Sequence, residues 1–453
     1  MPAPMQADSV EELIDRWRSH LRRRQPLHAA DVAELEDHLR EQIASLMDAG
    51  LAADEAFLVA AKRIGNIDAI SREFAREHSD RLWKQLVALP APSGAPRPAR
   101  TEAIVAICIA AAAALAFKLP AFFGVPFENA HAGFYIRHFG LFVLPLLVGY
   151  FAWKRHLDIG TAQWLALACV AAFVFANVYP FTPRGTTEWL TALHLPIALW
   201  LAVGIAYAGG RWNEVAGRLD FVRFSGELFV YYALGGALLT ALTMSNLQVI
   251  GLEDAPVITD WVLPCGALGG LVIASWLIEA RQSAIGNVAP VLMRLVTPLF
   301  VVLLATFLGG VLVTGRALGM NRDVLVSLNL LLVAVLCLVA FSVTARDADG
   351  RPGSPGVLHA VLVVTALLAT GLALSATAAR IAELGWSPNR AAALGENVIL
   401  LVNFFWHTVL YVRFLRGRAA FAPLERWQTG YLPVYAGWAA AVVILFPPLF
   451  GYL

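Results

Sequence analysis

"PVLMRLVTPLFVVLLATFLGGVLVTG", residues 290–315, decides the fold, because after Arg294 it continues to Gly315 without a charged side chain. A membrane crossing takes about 20 mostly apolar residues. In hydrocarbon the backbone must satisfy its own hydrogen bonds, so a run of this length reads as a transmembrane helix. Eleven such runs can be counted, centred near residues 109, 144, 169, 198, 235, 269, 302, 333, 368, 402 and 442. Any one of them could be a buried helix of a soluble core, but eleven in succession point to a polytopic membrane bundle.

Composition agrees. The chain of 453 residues is 58% hydrophobic and 15% charged, with a mean hydropathy of +0.65, against roughly 25% charged residues in ordinary soluble domains. The charge is also uneven: residues 1–100 hold 14 Lys and Arg and 16 Asp and Glu, leaving 20 and 17 for the other 353. Two solvents are implied. A net charge of +1, with no basic run longer than Arg22, Arg23 and Arg24, gives no reason to expect a nucleic-acid partner. Cys108, Cys169, Cys265 and Cys337 stand singly in apolar segments, without the spacing of a zinc site or disulfide framework, and read as small buried apolar residues. The polar start of the chain does not read as a signal peptide.

Residues 1–88 read as a small soluble four-helix domain. Ser9 and Glu12 form a capping box ahead of a face of Val10, Leu13, Ile14, Trp17 and Leu21. Asp31 and Glu34 open a second helix with the stripe Val32, Leu35, Leu39, Ile43 and Leu46, stopped by Gly50. Asp54 and Glu55 start a third, with Phe57, Ala60, Ala61 and Ile64 inward and Gly65 at its end, and Asn66 or Asp68 starts a fourth carrying Ile70 and Phe74. Residues 89–100, "LPAPSGAPRPAR", form a Pro-rich linker to the transmembrane domain at 101–453.

With residues 1–88 in the cytoplasm, the short loops on that side carry thirteen Lys and Arg and the opposite loops seven. That bias favours the N-terminus inside and, after eleven spans, the C-terminus outside. Residues 119–133 could hold a short interfacial helix. Leu144-Pro145, Leu195-Pro196 and Leu263-Pro264 are expected to kink their spans. Gly266 and Gly270 make a GxxxG suited to close helix packing, with Gly235, Gly236, Gly309 and Gly310 in the same role.

Ionisable groups inside a membrane are the natural functional candidates. In "ENVILLVNFFWH", residues 396–407, Glu396, Asn403 and His407 share one helix face over about 16 Å. They could line a polar pocket or proton path; equally, Asn403 could bond a neighbouring helix while Glu396 and His407 reach towards the two interfaces. Glu227 could pair with Arg294 or simply reach water. Arg137, His138, His194 and Glu396 lie at outer ends of spans, where they would form an outward-facing pocket if those spans are neighbours. No HExxH, P-loop, GxSxG or metal-spaced cluster is present, so no enzyme, cofactor or metal site is expected.

The stretch "ELEDHLREQIASLMDAGLAADEAFLVAAKRIGNIDAISREFAREH" resembles the permease prefix, or HAAS-type, domain found at the N-terminus of many bacterial membrane proteins. The resemblance covers about residues 8–80, where "ELEDHL", "AGL", "EAF" and "RIGN" occur in order. The body, through "FYIRHFGLFVLPLLVGYFAWKR" and "RFSGELFVYYALGGALLTALT", is similar to multi-span bacterial membrane proteins of unknown function. What this implies is an inner-membrane protein with its prefix in the cytosol and no inherited catalytic residues. Two functions are then in view: a sensor or regulatory protein whose prefix docks a cytosolic protein partner, or a secondary transporter with a polar path along the tenth span.

Overall fold

The computed structural model describes residues 14, 29–48, 56, 60, 100–128, 131–250, 258–280, 288–315, 320–344 and 354–453. Its internal contacts divide the chain into two compact units, Met1–Pro96 and Arg97–Leu453.

In the first unit, α1 spans Ala29–Asp48. Leu39, Ile43 and Leu46, three positions of the expected stripe, are buried, and Ile14, Ala56 and Ala60 are helical and buried as well. Glu36 and Arg40, one turn apart on α1, are bridged at 3.1 Å, an i,i+4 pair of the kind that steadies exposed helix faces. The rest of the first, third and fourth expected helices, the Gly50 stop and the Pro-rich linker lie outside the described residues.

All regular secondary structure among the described residues of the second unit is helical. Its helices are α2 (Arg100–Phe122), α3 (Ala132–His138), α4 (Leu144–Lys154), α5 (Ile159–Val178), α6 (Thr186–Ala208), α7 (Val215–Ile250) and α8 (Leu263–Ala280). They are followed by α9 (Val288–Thr314), α10 (Arg322–Thr344), α11 (Ser354–Leu384), α12 (Pro388–Leu415), α13 (Ala422–Gly430) and α14 (Leu432–Leu449). Among the described residues ten helices are long and apolar enough to cross a membrane, or eleven if the bent pair α3 and Gly140–Lys154 is one crossing. The exterior is apolar, with Leu238, Leu242, Leu312 and Val313 all more than half exposed. Large side chains of this kind arrayed round a helix bundle need hydrocarbon, not water, outside them.

The bent pair crosses the bundle. Tyr135, in α3, donates to Val125 O at 2.7 Å and packs on Phe117 near the end of α2. Lys154, at the end of α4, binds Glu102 in the first turn of α2 at 2.9 Å. Its two ends therefore lie at opposite ends of α2, and the 55° bend breaks one span rather than turning it back. The break is local: Val143 leaves helical geometry, Pro145 begins α4 without needing a donor, and Gly140 faces Pro196 of α6. A Cβ at residue 140 would stand 3.0 Å from the Pro196 ring, so the closest approach of the two spans depends on glycine there.

Of the three Leu-Pro steps, Pro196 lies inside α6, Pro145 opens α4 at the 55° bend, and Pro264 follows a π-helical turn, Ile258–Val262, that runs directly into α8. The first two helix pairs set the faces of the bundle. Glu102, Lys154, Arg155 and Glu279 meet at the proximal face, where α2 begins. The distal face carries Lys118 over the Trp261 ring at 4.2 Å, and the Arg137–Glu188 pair. The chain ends there too, because Thr182 N donates to Tyr452 O at 3.0 Å and Thr187 N to Leu453 O. The second unit thus begins at one face and finishes at the other.

Two apolar cores fill the bundle. One joins α2 to α8 around Phe117, Tyr150, Phe151, Val203, Phe224 and Leu268. The other joins α9 to α12 around Leu304, Leu332, Val335, Ala369, Leu400 and Phe404. α6 links them by packing on α12 and α14. Gly266, Gly235, Gly236, Gly309 and Gly310 meet no neighbour, and Gly270 only grazes Tyr232. The expected GxxxG contact is therefore displaced by one residue: Gly269, beside the buried Leu268 and Val272, is the position that approaches the α2 backbone, at Ala110 O. The cysteines are free but not buried as expected: Cys108 and Cys337 are exposed, Cys169 and Cys265 half-buried. On such an apolar exterior, exposure to lipid suits a thiol as well as burial does.

Candidate functional site: polar clusters inside the bundle

The helix that carries Glu396, Asn403 and His407 is α12, whose Ser387 cap accepts from Arg390 N and whose Pro388 fits the first turn. The three side chains do lie on one face, but they reach different neighbours. Glu396 Oε1 stands 2.9 Å from His194 Nε2 on α6. Because His194 Nδ1 donates to Leu190 O at 2.8 Å, the contact with Glu396 needs one proton between the two groups. That pair, with side chains 6% and 29% exposed, clamps α6 to α12.

Asn403 and His407 turn instead to α13, the short helix that leads into α14 in the last span. Both are fully buried. Gln428 Nε2 donates to Asn403 Oδ1 at 3.1 Å and meets His407 Nδ1 at 2.6 Å. His407 Nε2 faces His359 Nε2 of α11 at 3.2 Å, and His359 Nδ1 lies 3.3 Å from Ser342 Oγ of α10. Trp427 Nε1 adds a bond to Asn403 O, and Tyr411 stacks on the His407 ring at 5.8 Å and 15°. With the Gln428 amide oriented by these bonds, its two N–H groups serve Asn403 and His407 Nδ1. The His407 proton is then on Nε2, donated to His359, and the His359 proton is on Nδ1. One hydrogen-bonded chain therefore ties α13, α12, α11 and α10 together through four polar side chains and a serine.

The expected outer group divides as well. Arg137 binds Glu188 of α6 at 2.6 Å, and Glu188 also accepts from Arg184 N at 2.9 Å. Gly133 leaves the space this carboxylate fills: a Cβ there would come 2.5 Å from Glu188 Oε1. His138 turns to α5, with Nε2 3.1 Å from Asn177 Oδ1 and Nδ1 2.7 Å from Phe134 O. The spans bearing Arg137, His194 and Glu396 are neighbours, but each charged group has its own partner. Glu227 is half-buried on α7 and makes no hydrogen bond or ion pair among the described residues; the Arg294 side chain lies outside them.

A third cluster was invisible in the sequence. At the proximal face Glu279, 5% exposed, receives Lys154 at 3.1 Å and Arg155 at 2.6 Å, and Lys154 also binds Glu102. Two cations and two carboxylates close on each other, joining α2, α4 and α8. Arg155 lies over the Tyr207 ring at 5.0 Å, which brings the end of α6 into the same group. His359, Gln428, Ser342, Glu188 and Glu279 complete the three clusters, and no spacing within their own segments marks them. Gln428 alone carries a signal, as a polar residue in the amphipathic "APLERWQTG". No group of three or more His, Cys, Asp and Glu among the described residues is placed to hold a metal ion.

Comparison of the chain with protein-family models, with curated proteins and with solved structures finds no match.

Proposed function

We propose that the chain is a bacterial inner-membrane protein of regulatory or sensing type, with residues 1–88 docking a soluble cytosolic partner and the bundle conveying a change in membrane or envelope. The observation that carries this reading is the division of the α12 stripe. Glu396 is engaged by His194 at one end, Asn403 and His407 by Gln428 and His359 at the other, with buried Leu400 between on the same helix. Polar side chains that hold helices to one another suit a bundle that changes between packed states more than an open solute path. The excess of Lys and Arg in the loops on one side supports a cytoplasmic N-terminus.

The test compares tagged full-length protein with a form lacking residues 1–88, both purified from membranes after in-cell crosslinking. A defined soluble partner that follows the full-length protein and is lost with the deletion supports docking; identical crosslinked species from both forms rejects it. A second reading, secondary transport, is favoured by the buried His359–His407 contact, since a histidine chain can carry protons. It requires that reconstituted protein move solute or protons in a manner abolished by His407→Gln.

A further inference from the structure

We propose that His407, Gln428 and Asn403 form a proton-binding site, in which the turning of two side-chain amides lets the buried ring accept one proton without losing a hydrogen bond.

In the arrangement described above, both ring nitrogens of His407 are already engaged. Nδ1 accepts from Gln428 and Nε2 donates to His359. A proton arriving at Nδ1 would face an N–H, so uptake needs the amide to present oxygen instead. Two buried atoms of this cluster have no partner: Gln428 Oε1 and Asn403 Nδ2. They are the acceptor and the donor that the protonated state requires. Rotating both amides by half a turn places Gln428 Oε1 where it accepts from His407 Nδ1–H and from Asn403 Nδ2–H, while His407 Nε2–H still donates to His359. The atoms left over in one state are the bonded pair in the other, and the number of hydrogen bonds is unchanged. One proton enters from water at the proximal side, one N–H bond forms, and the reverse step returns the same proton.

A charge gained on this fully buried ring has to be met by its neighbours. Tyr411 lies nearly parallel beside the ring, with 5.8 Å between centroids and 15° between planes. The Gln428 oxygen and His359 Nε2 would both accept from it. Towards the proximal ends of the helices packed around the site, the titratable and charged groups are Cys337 on α10, His359 on α11, Tyr411 and Arg413 on α12, Glu425 and Arg426 on α13, Tyr431 between α13 and α14, and Tyr435 on α14. On α7, which packs against α10 and α13, they are Arg218, Asp220, Arg223, Glu227, Tyr231 and Tyr232, and the His194–Glu396 pair stands at the other end of α12. Of these, His359 is the titratable group in direct contact with the His407 ring. Since the two rings are 3.2 Å apart, the pair takes one proton rather than two.

This inference stands apart from the regulatory reading, for the site binds a proton whether or not residues 1–88 bind a partner. It is tested on full-length, ¹⁵N-histidine-labelled protein in lipid nanodiscs, with His407 identified by subtraction of the His407→Gln spectrum. Between about pH 8 and about pH 5, Nδ1 of His407 is expected to change from bare to protonated while Nε2 keeps its proton. Gln428→Glu, which fixes an acceptor against Nδ1, should move that midpoint to at least about tenfold lower proton concentration. His407 nitrogens that stay the same across the range, or a ring that is bare at Nε2 throughout, would overturn the proposal. So would a folded Gln428→Glu protein with an unmoved midpoint; the titration of the unaltered protein decides the matter if that variant does not fold.

Discussion

Arg137→Met removes the guanidinium that stands 2.6 Å from Glu188 Oε1. The two side chains are 14% and 10% exposed, so the change leaves a nearly buried carboxylate whose remaining described donor is Arg184 N. Breaking a buried pair from one side costs about 3–5 kcal/mol, because the stranded charge keeps its desolvation penalty and loses the attraction that offset it. Removing both charges strands neither, and the N–H of exposed Arg184 can turn to water, so Arg137→Met combined with Glu188→Met should lie within about 1 kcal/mol of the unaltered protein. The two forms are compared by reversible unfolding in mixed micelles, followed by tryptophan fluorescence. The single change should be the more destabilised by several kcal/mol. A single change no worse than the double would refute the argument that this pair is desolvated between α3 and α6.

Glu279→Gln leaves Lys154 and Arg155 facing a neutral amide; Lys154 keeps Glu102, so the loss should be about 3 kcal/mol, at the lower end for a buried pair, in the same unfolding assay. Gly395→Ala drives a methyl into the Trp438 ring where α12 meets α14, and should cost about 1–3 kcal/mol as overpacking, read as a lower midpoint of unfolding. Asp158 caps α5 by accepting from Thr161 N at 2.8 Å, and that bond holds its carboxyl below the usual carboxylate range. A lowered folded value means the contribution is present above the unfolded pKa and disappears as pH falls through the folded one. The stability advantage over Asp158→Asn should therefore be seen at neutral pH and vanish in acid; an advantage that persists in acid would contradict the cap.

The spans were legible because a run of about 20 apolar residues has few folded solutions. The residue centres read from the sequence fall within the helices, the second of them at Leu144, the first residue of α4. The Leu144-Pro145 step marked a kink in that span, and the 55° bend falls there; what was not legible is the part of Gly140, whose neighbour Pro196 lies on another helix. The same limit applies to the polar groups. Periodicity places Glu396, Asn403 and His407 on one face of α12, but only packing decides that His194 takes the first and Gln428 the other two. Short-range spacing cannot pair His407 with His359, 48 residues away, or Arg137 with Glu188, 51 residues away. The GxxxG reading failed for a related reason: motif spacing names a face, whereas the rotation of α8 is set by Leu268 and Val272 in the core.

With the bent pair as one crossing, the bundle has eleven crossings among the described residues and begins at one face and ends at the other. This topology is tested most directly by thiol accessibility in sealed membranes, on a background with Cys108, Cys169, Cys265 and Cys337 replaced. A single cysteine is placed at Ser93, in the linker, or at Leu453, and each variant is treated with a membrane-impermeant thiol reagent. The account predicts that Leu453→Cys reacts from outside, while Ser93→Cys reacts only after the membrane is opened. Labelling of both positions from the same side would show an even number of crossings and contradict it.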